Sequence, residues 1–192
     1  MLLVLAAAGR ATEAAPTTAA EALMQAKAGL AALQERYGER HPKIAEQQLR
    51  VAEWQKQVAA GGPEPFVLQR ARVDLAVIRE RLLEKHPDFI AQRARVEAME
   101  KQWREDVATP AVLLEAMGEL AAMATHFEAR HPRLLDQARK VEVLRRYLLG
   151  PSAESMELRL ARAMHEYYSN RYGPNHPKVL ETAAQIAELE KK

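Results

Sequence analysis

Between residues 16 and 192 the apolar residues return in steps of three and four, and the whole pattern then returns every 45 residues. The dipeptide His-Pro marks the phase, at His41-Pro42, His86-Pro87, His131-Pro132 and His176-Pro177. With each His counted as zero, position −18 holds Leu23, Leu68, Leu113 and Leu158, and position −15 holds Ala26, Ala71, Ala116 and Ala161. Position −4 holds Tyr37, Leu82, Phe127 and Tyr172; position +3 holds Ile44, Phe89, Leu134 and Val179. Position +10 holds Val51, Val96, Val141 and Ile186, and position +13 holds Trp54, Met99, Leu144 and Leu189. Agreement in so many columns at one period is the signature of an internal repeat.

The spacing within a unit predicts its shape. Apolar columns fall at −18, −15, −11, −8 and −4, then at +3, +10, +13 and +17, the period of two amphipathic helices. The breakers stand between them: "AAGGPEP" at 59–65, "DVATP" at 106–110, "GPSAES" at 150–155 and the four His-Pro sites. Pro at a first helical position wastes no hydrogen bond, and the residue before Pro is driven out of the α region, so His-Pro reads as a helix start. Short links make consecutive helices antiparallel, and a single hairpin cannot bury both of its apolar stripes. The expected fold is therefore all-α: an α-solenoid of four 45-residue antiparallel helical hairpins, over 16–60, 61–105, 106–150 and 151–192. The Ala at −15 marks a close helix crossing.

Residues 1–15 stand outside the repeat. Met1–Ala8 is apolar and reads either as a cap on one end of the array or as a truncated export signal. It is too short to span a bilayer, which takes about 20 apolar residues. The first reading makes the protein cytoplasmic and the second exported.

Composition narrows the chemistry. The chain has no cysteine, which excludes disulfides, thiolate catalysis and Cys-based metal sites. Formal charge is +2 with both signs interspersed, so a nucleic-acid surface held by phosphate neutralisation is not expected. The aromatics are two Trp, five Tyr and three Phe in 192 residues, and Trp54 and Trp103 fall on the apolar stripe as core residues.

Tyr172, Gly173, Pro174, His176, Pro177 and Val179, in "YGPNHPKV", resemble the segment that joins kinesin light chain-type tetratricopeptide repeats, Leu-Gly-Pro-x-His-Pro-x-Val. The first unit retains Tyr37 and Gly38 as well, and every unit retains His-Pro and an apolar +3. The resemblance covers 16–192 as a periodic pattern. The period here is longer than the family's, and the Asn-Asn-Leu-Ala run that follows the link in that family is missing. The resemblance implies a tetratricopeptide-like solenoid acting as a non-enzymatic protein-binding scaffold without a cofactor. Four repeats in so short a chain are similar to the bacterial members of that family, which implies a bacterial tubulin filament as partner. "YGPNHPKVLETAAQIAELE" also resembles the periplasmic coiled coils of polysaccharide chain-length regulators, which implies an exported envelope or structural protein.

His41, His86, His131 and His176 invite a metal or catalytic reading, but repeat-equivalent atoms in stacked hairpins lie on the order of 10 Å apart. A zinc ion needs its nitrogens within about 2.1 Å. These histidines are expected to cap helices and to pack on the residue four earlier. His126 and His165 read as ordinary helix residues. No phosphate-binding loop, H-E-x-x-H pair or G-x-S-x-G elbow occurs, so neither catalytic nor metal nor cofactor residues are nominated.

Two columns are candidates for partner binding. Arg40, Lys43, Lys85, Arg130, Arg133, Arg171 and Lys178 flank the His-Pro sites and would form a basic ladder, which Asp88 interrupts. Cations before a His-Pro site complement a helix C-terminus, but Lys43, Arg133 and Lys178 fall in a first helical turn, where a cation is unfavourable. An acidic partner surface would account for those three. Gln47, Gln92 and Gln137, with Thr182, occupy +6, where the stripe calls for apolar residues; they read as locally bonded amides or as the lining of a polar groove, which with Arg50, Arg95 and Lys140 at +9 would suit a partner peptide or an acidic protein surface.

Overall fold

The computed structural model describes residues 15–37 and 41–191. Among these residues the chain is all-helical, with eight helices and no strand. They are α1 (Ala19–Arg36), α2 (Pro42–Ala60), α3 (Phe66–Arg81), α4 (Pro87–Glu105), α5 (Ala111–Ala124), α6 (Pro132–Leu148), α7 (Met156–Arg171) and α8 (Pro177–Leu189). The chain divides into two compact units, 1–59 and 60–192. The apolar segment Met1–Ala8 lies outside the described residues, as do Gly38 and Arg40. No helix among the described residues is long and apolar enough to cross a membrane.

In the first unit, α1 opens with a capping box: Thr18 accepts from the Glu21 backbone N–H while the Glu21 carboxylate accepts from the Thr18 N–H. The carboxylate also takes the Thr17 N–H at 2.8 Å and the Thr17 hydroxyl at 2.9 Å, and these two bonds, the backbone one first, hold Glu21 below its ordinary pKa. Ala22 and Ala26 of α1 are buried, as are Ile44, Val51 and Trp54 of α2.

In the second unit consecutive helices pack on one another from α3 through α8, and α3 also touches α5. One core joins Leu68, Ala71, Val96, Met99 and Leu114 from α3, α4 and α5, with Trp103 packed against it. A second joins Leu113, Ala116, Val141, Val143, Leu144, Leu148, Ala163 and Tyr167 from α5, α6 and α7. The +3 column is buried in all four hairpins, and so is the −15 Ala column. The α4–α5 approach is close enough that a side chain at Gly118 would force its neighbours to shift. A Cβ on Gly118 would meet Met99 Cγ and Sδ and Arg95 Cγ at 2.9 Å.

The links follow their sequences. Pro65, Pro110 and Ser155 precede α3, α5 and α7, and the Ser155 hydroxyl accepts from the Leu158 N–H. Gln102 Nε2 donates to Thr109 Oγ1 at 3.1 Å, which ties the α4–α5 link to the end of α4. Arg159 of α7 donates to the Tyr147 and Gly150 carbonyls at 2.7 and 2.6 Å and so caps the C-terminus of α6 from the next helix.

One boundary departs from the template. Tyr37, Leu82 and Tyr172, all at −4, are extended C-cap residues, each donating its N–H to the carbonyl four residues back. α5 instead stops at Ala124 with Thr125 as its cap, where the Thr hydroxyl bonds the Ala122 carbonyl at 2.7 Å. His126, expected inside a helix, therefore lies in a turn.

Candidate functional site

The His-Pro sites act at helix starts. Nδ1 of His41, His86, His131 and His176 accepts the backbone N–H two residues on, from Lys43, Asp88, Arg133 and Lys178, at 3.3, 3.2, 3.2 and 3.3 Å. An accepting Nδ1 places the ring proton on Nε2. Three of the rings stack on the aromatic residue four earlier: Tyr37–His41 at 4.3 Å, Phe127–His131 at 4.0 Å and Tyr172–His176 at 4.0 Å between centroids. Leu82 takes that place before His86. Among the described residues no group of three or more His, Asp or Glu could hold a metal ion.

The +6 glutamines cross between helices. Nε2 of Gln47, Gln92 and Gln137 donates to the carbonyl of Ala26, Ala71 and Ala116, at 2.8, 2.9 and 2.9 Å. Each acceptor is the −15 Ala of the same hairpin, whose side chain is only a methyl group. A carbonyl already bonded within its helix has a second lone pair for the amide. Gln137 also bonds the Glu119 carboxylate at 3.0 Å. In the fourth hairpin Thr182 bonds back to the Lys178 and Val179 carbonyls and meets His165 Nδ1 at 3.1 Å.

The nominated cations separate into two groups. Lys43, Lys85 and Arg130 are exposed on the surface. In the second unit Arg133, Arg171 and Lys178 converge on one hollow of about 460 Å³, together with Lys140 and Gln137. Its walls come from α6 (Arg133, Asp136, Lys140), α7 (Tyr167, Tyr168, Arg171) and the start of α8 (Lys178), with Tyr172 and Met123. Four cations thus face one carboxylate.

Asp136 is already engaged. It accepts from Arg171 and, at 2.9 Å, from the Tyr167 hydroxyl, while Arg171 Nη1 donates to that hydroxyl at 2.6 Å. Burial first, and then the bond to Asp136, push the Tyr167 hydroxyl above its ordinary pKa; the bond to Tyr167 leads in raising that of Arg171. Lys178 Nζ lies 5.2 Å from the Tyr168 ring centroid, and the Arg171 guanidinium 5.2 Å from that of Tyr172. Among the described residues Arg133, Lys140 and Lys178 have no carboxylate within ion-pair distance. Elsewhere in the unit Arg70, Arg72, Arg93, Arg95, Lys101, Arg146 and Arg162 have one. Among the described residues Arg79, Lys85, Arg104, Arg130, Arg139 and Arg145 do not; what sets Arg133, Lys140 and Lys178 apart is that they share one hollow.

Compared with known protein families, curated proteins and solved structures, the chain matches none.

Lys140 stands in the +9 column with Arg50 and Arg95, whereas Tyr167 and Tyr168 are the site residues that the column reading passed over. Their signal lies outside the repeat: three of the five tyrosines fall between 167 and 172. Positions −9 and −8 hold Ala32 and Leu33, Val77 and Ile78, or Ala122 and Met123 in the other units, and only the fourth holds Tyr167 and Tyr168. A template that seeks recurrence cannot register a feature that one unit alone carries.

Proposed function

We propose that the protein is a non-enzymatic interaction scaffold, a tetratricopeptide-like solenoid of helical hairpins that binds an anionic surface of a partner protein. The observation that carries this reading is the hollow between the third and fourth hairpins, where four cations face one carboxylate. Like charges gathered on one surface repel one another unless counter-charge is supplied, and among the residues lining the hollow only Asp136 supplies it. Grooves and edges of helical repeats are extended binding surfaces, and repeated weak contacts add avidity on a partner that itself repeats. The kinesin light chain-like links make a bacterial tubulin filament the partner of choice.

The test is co-sedimentation with polymerised bacterial tubulin. Pelleting that falls as salt is raised is expected, because screened charges contribute less. Charge reversal at Arg133 and Lys178, with Lys43 in the same variant, should reduce the pelleted fraction at least several-fold. Failure of the native protein to pellet at low salt rejects the filament as partner; unchanged pelleting of the reversed variant rejects the basic residues as the contact.

A further inference from the structure

We infer that the hollow between α6, α7 and α8 is a receptor for a phosphate monoester, carried on a phosphorylated side chain of the partner. This rests on the scaffold reading and names the group recognised. The hollow leaves three cations, Arg133, Lys140 and Lys178, without a carboxylate among the described residues. Tyr168 and Tyr172 also line it, with their rings against Lys178 and Arg171. Arg171 is held on Asp136 and Tyr167, so the one acid in the hollow is neutralised and the free cations face outward demand rather than each other's partners.

The number and compactness of these groups decide the ligand class. A carboxylate offers one charge and two oxygens, and a run of carboxylates spreads its charge along a chain. A phosphate monoester concentrates roughly 1.5 to 2 charges and three acceptor oxygens on one atom at neutral pH. Three unpaired cations around a hollow of about 460 Å³ match the compact group. Tyr168 and Tyr172 also keep Lys178 and Arg171 near ring faces, which limits the freedom those side chains lose on binding.

The experiment is fluorescence anisotropy of a labelled phosphoserine peptide with the full chain at fixed ionic strength. Its comparators are the same peptide with Ser, and with Glu, at that position. The phosphopeptide should bind at least ten-fold more tightly than either. Lys140→Gln and Lys178→Gln, both solvent-accessible changes, should each weaken it at least three-fold, whereas Lys101→Gln, on the surface of α4 outside the hollow, should leave it unchanged. Equal affinity for the Glu and phosphoserine peptides overturns the inference. So does full competition by inorganic phosphate at the peptide's own concentration, which would mark an anion site with no peptide recognition. Filament co-sedimentation measured on the same Lys140→Gln and Lys178→Gln proteins separates the two readings. Retained pelleting without phosphopeptide binding removes this inference and leaves the scaffold standing.

Discussion

The third and fourth hairpins are built on one template and closed differently. Both bury the −15 alanine, Ala116 or Ala161. In the third, the Gln137 amide crosses from α6 to the Ala116 carbonyl, a bond between a side chain and a helix backbone. In the fourth, Thr182 replaces the glutamine and meets His165, which stands at −11 where the other units have Leu30, Leu75 and Leu120. The polar contact has moved from the backbone to a pair of side chains, and an apolar core position has been given up to make it. Burial follows: α6 buries Leu134, Gln137, Val141, Val143, Leu144 and Leu148, whereas α8 buries Val179 and Thr182. α8 is flanked on one side by α7, so Ile186 and Leu189 stay half exposed where Val141 and Leu144 are covered. A hairpin with helices on both sides can be stapled through its backbone; one with a single neighbour depends more on side-chain pairs such as Arg162–Glu190 at 2.7 Å.

Truncation at −18 is the strongest way to break this comparison. Leu113 is 0 % exposed between the α5, α6 and α7 side chains, and Leu113→Ala should cost about 2 to 5 kcal/mol in urea unfolding. Leu158, its counterpart in α7, is half-buried, and Leu158→Ala should cost less than half as much. Equal losses would mean that the two hairpins contribute alike despite their difference in burial.

Exchanging the staples comes next. Gln137→Leu removes a bond to the Ala116 carbonyl, which keeps its helical partner, so the expected cost is about 1 kcal/mol rather than that of a stranded group. The reverse exchange, His165→Leu with Thr182→Gln, rebuilds in the fourth hairpin the pair that the other three carry. A rise in melting temperature equivalent to about 1 kcal/mol is expected. A fall would show that the staple needs more of its surroundings than the +6, −11 and −15 positions.

The sequence made the helices legible because their causes recur. Apolar spacing, His-Pro starts and breaker clusters appear four times in phase, and chance agreement in one unit is corrected by the others. The +6 glutamines were visible as a column, but their role was not. Their acceptor is a backbone oxygen 21 residues away, and every residue type carries one. The end of α5 at Ala124 was hidden for a related reason: Phe127 keeps the −4 aromatic, while the Thr125 hydroxyl stops the helix two residues earlier than the template places its cap. The hollow was half legible. Arg133, Lys140, Arg171 and Lys178 belong to columns; Tyr167 and Tyr168 interrupt columns, and they supply the aromatic wall of an open basic hollow.

Removing the histidine caps sharpens the comparison at smaller scale. His131→Ala loses both the bond from the Arg133 N–H and the stack on Phe127, and should cost about 1 kcal/mol in thermal unfolding. His86→Ala loses a cap with no ring four residues before it, and roughly half that cost is expected. Costs in the opposite order would make the stacking incidental and the backbone bond the whole effect.

The smallest effect is confined to the boundary between the third and fourth hairpins, and it appears in alkali. Tyr167 is 5 % exposed, with its hydroxyl donating to Asp136 and accepting from Arg171. Its pKa is raised above the ordinary 10.0, by burial first and by Asp136 next, with Arg171 opposing. Below 10.0 the hydroxyl is neutral in folded and unfolded chains alike, and its contribution to stability is complete. Above 10.0 the unfolded chain ionises first, so the folded state loses ground as pH rises through the interval up to the folded value. The equivalent −9 residues, Ala32, Val77 and Ala122, cannot do this. Melting curves between pH 8 and 11 should therefore fall more steeply for the native protein than for Tyr167→Phe, which keeps the ring in the core and deletes the ionisation. Lysine titration shifts both proteins equally, so the difference between their alkaline slopes belongs to this hydroxyl. Parallel slopes would show that the Tyr167–Asp136–Arg171 contact is not what joins α7 to α6 at the floor of the hollow.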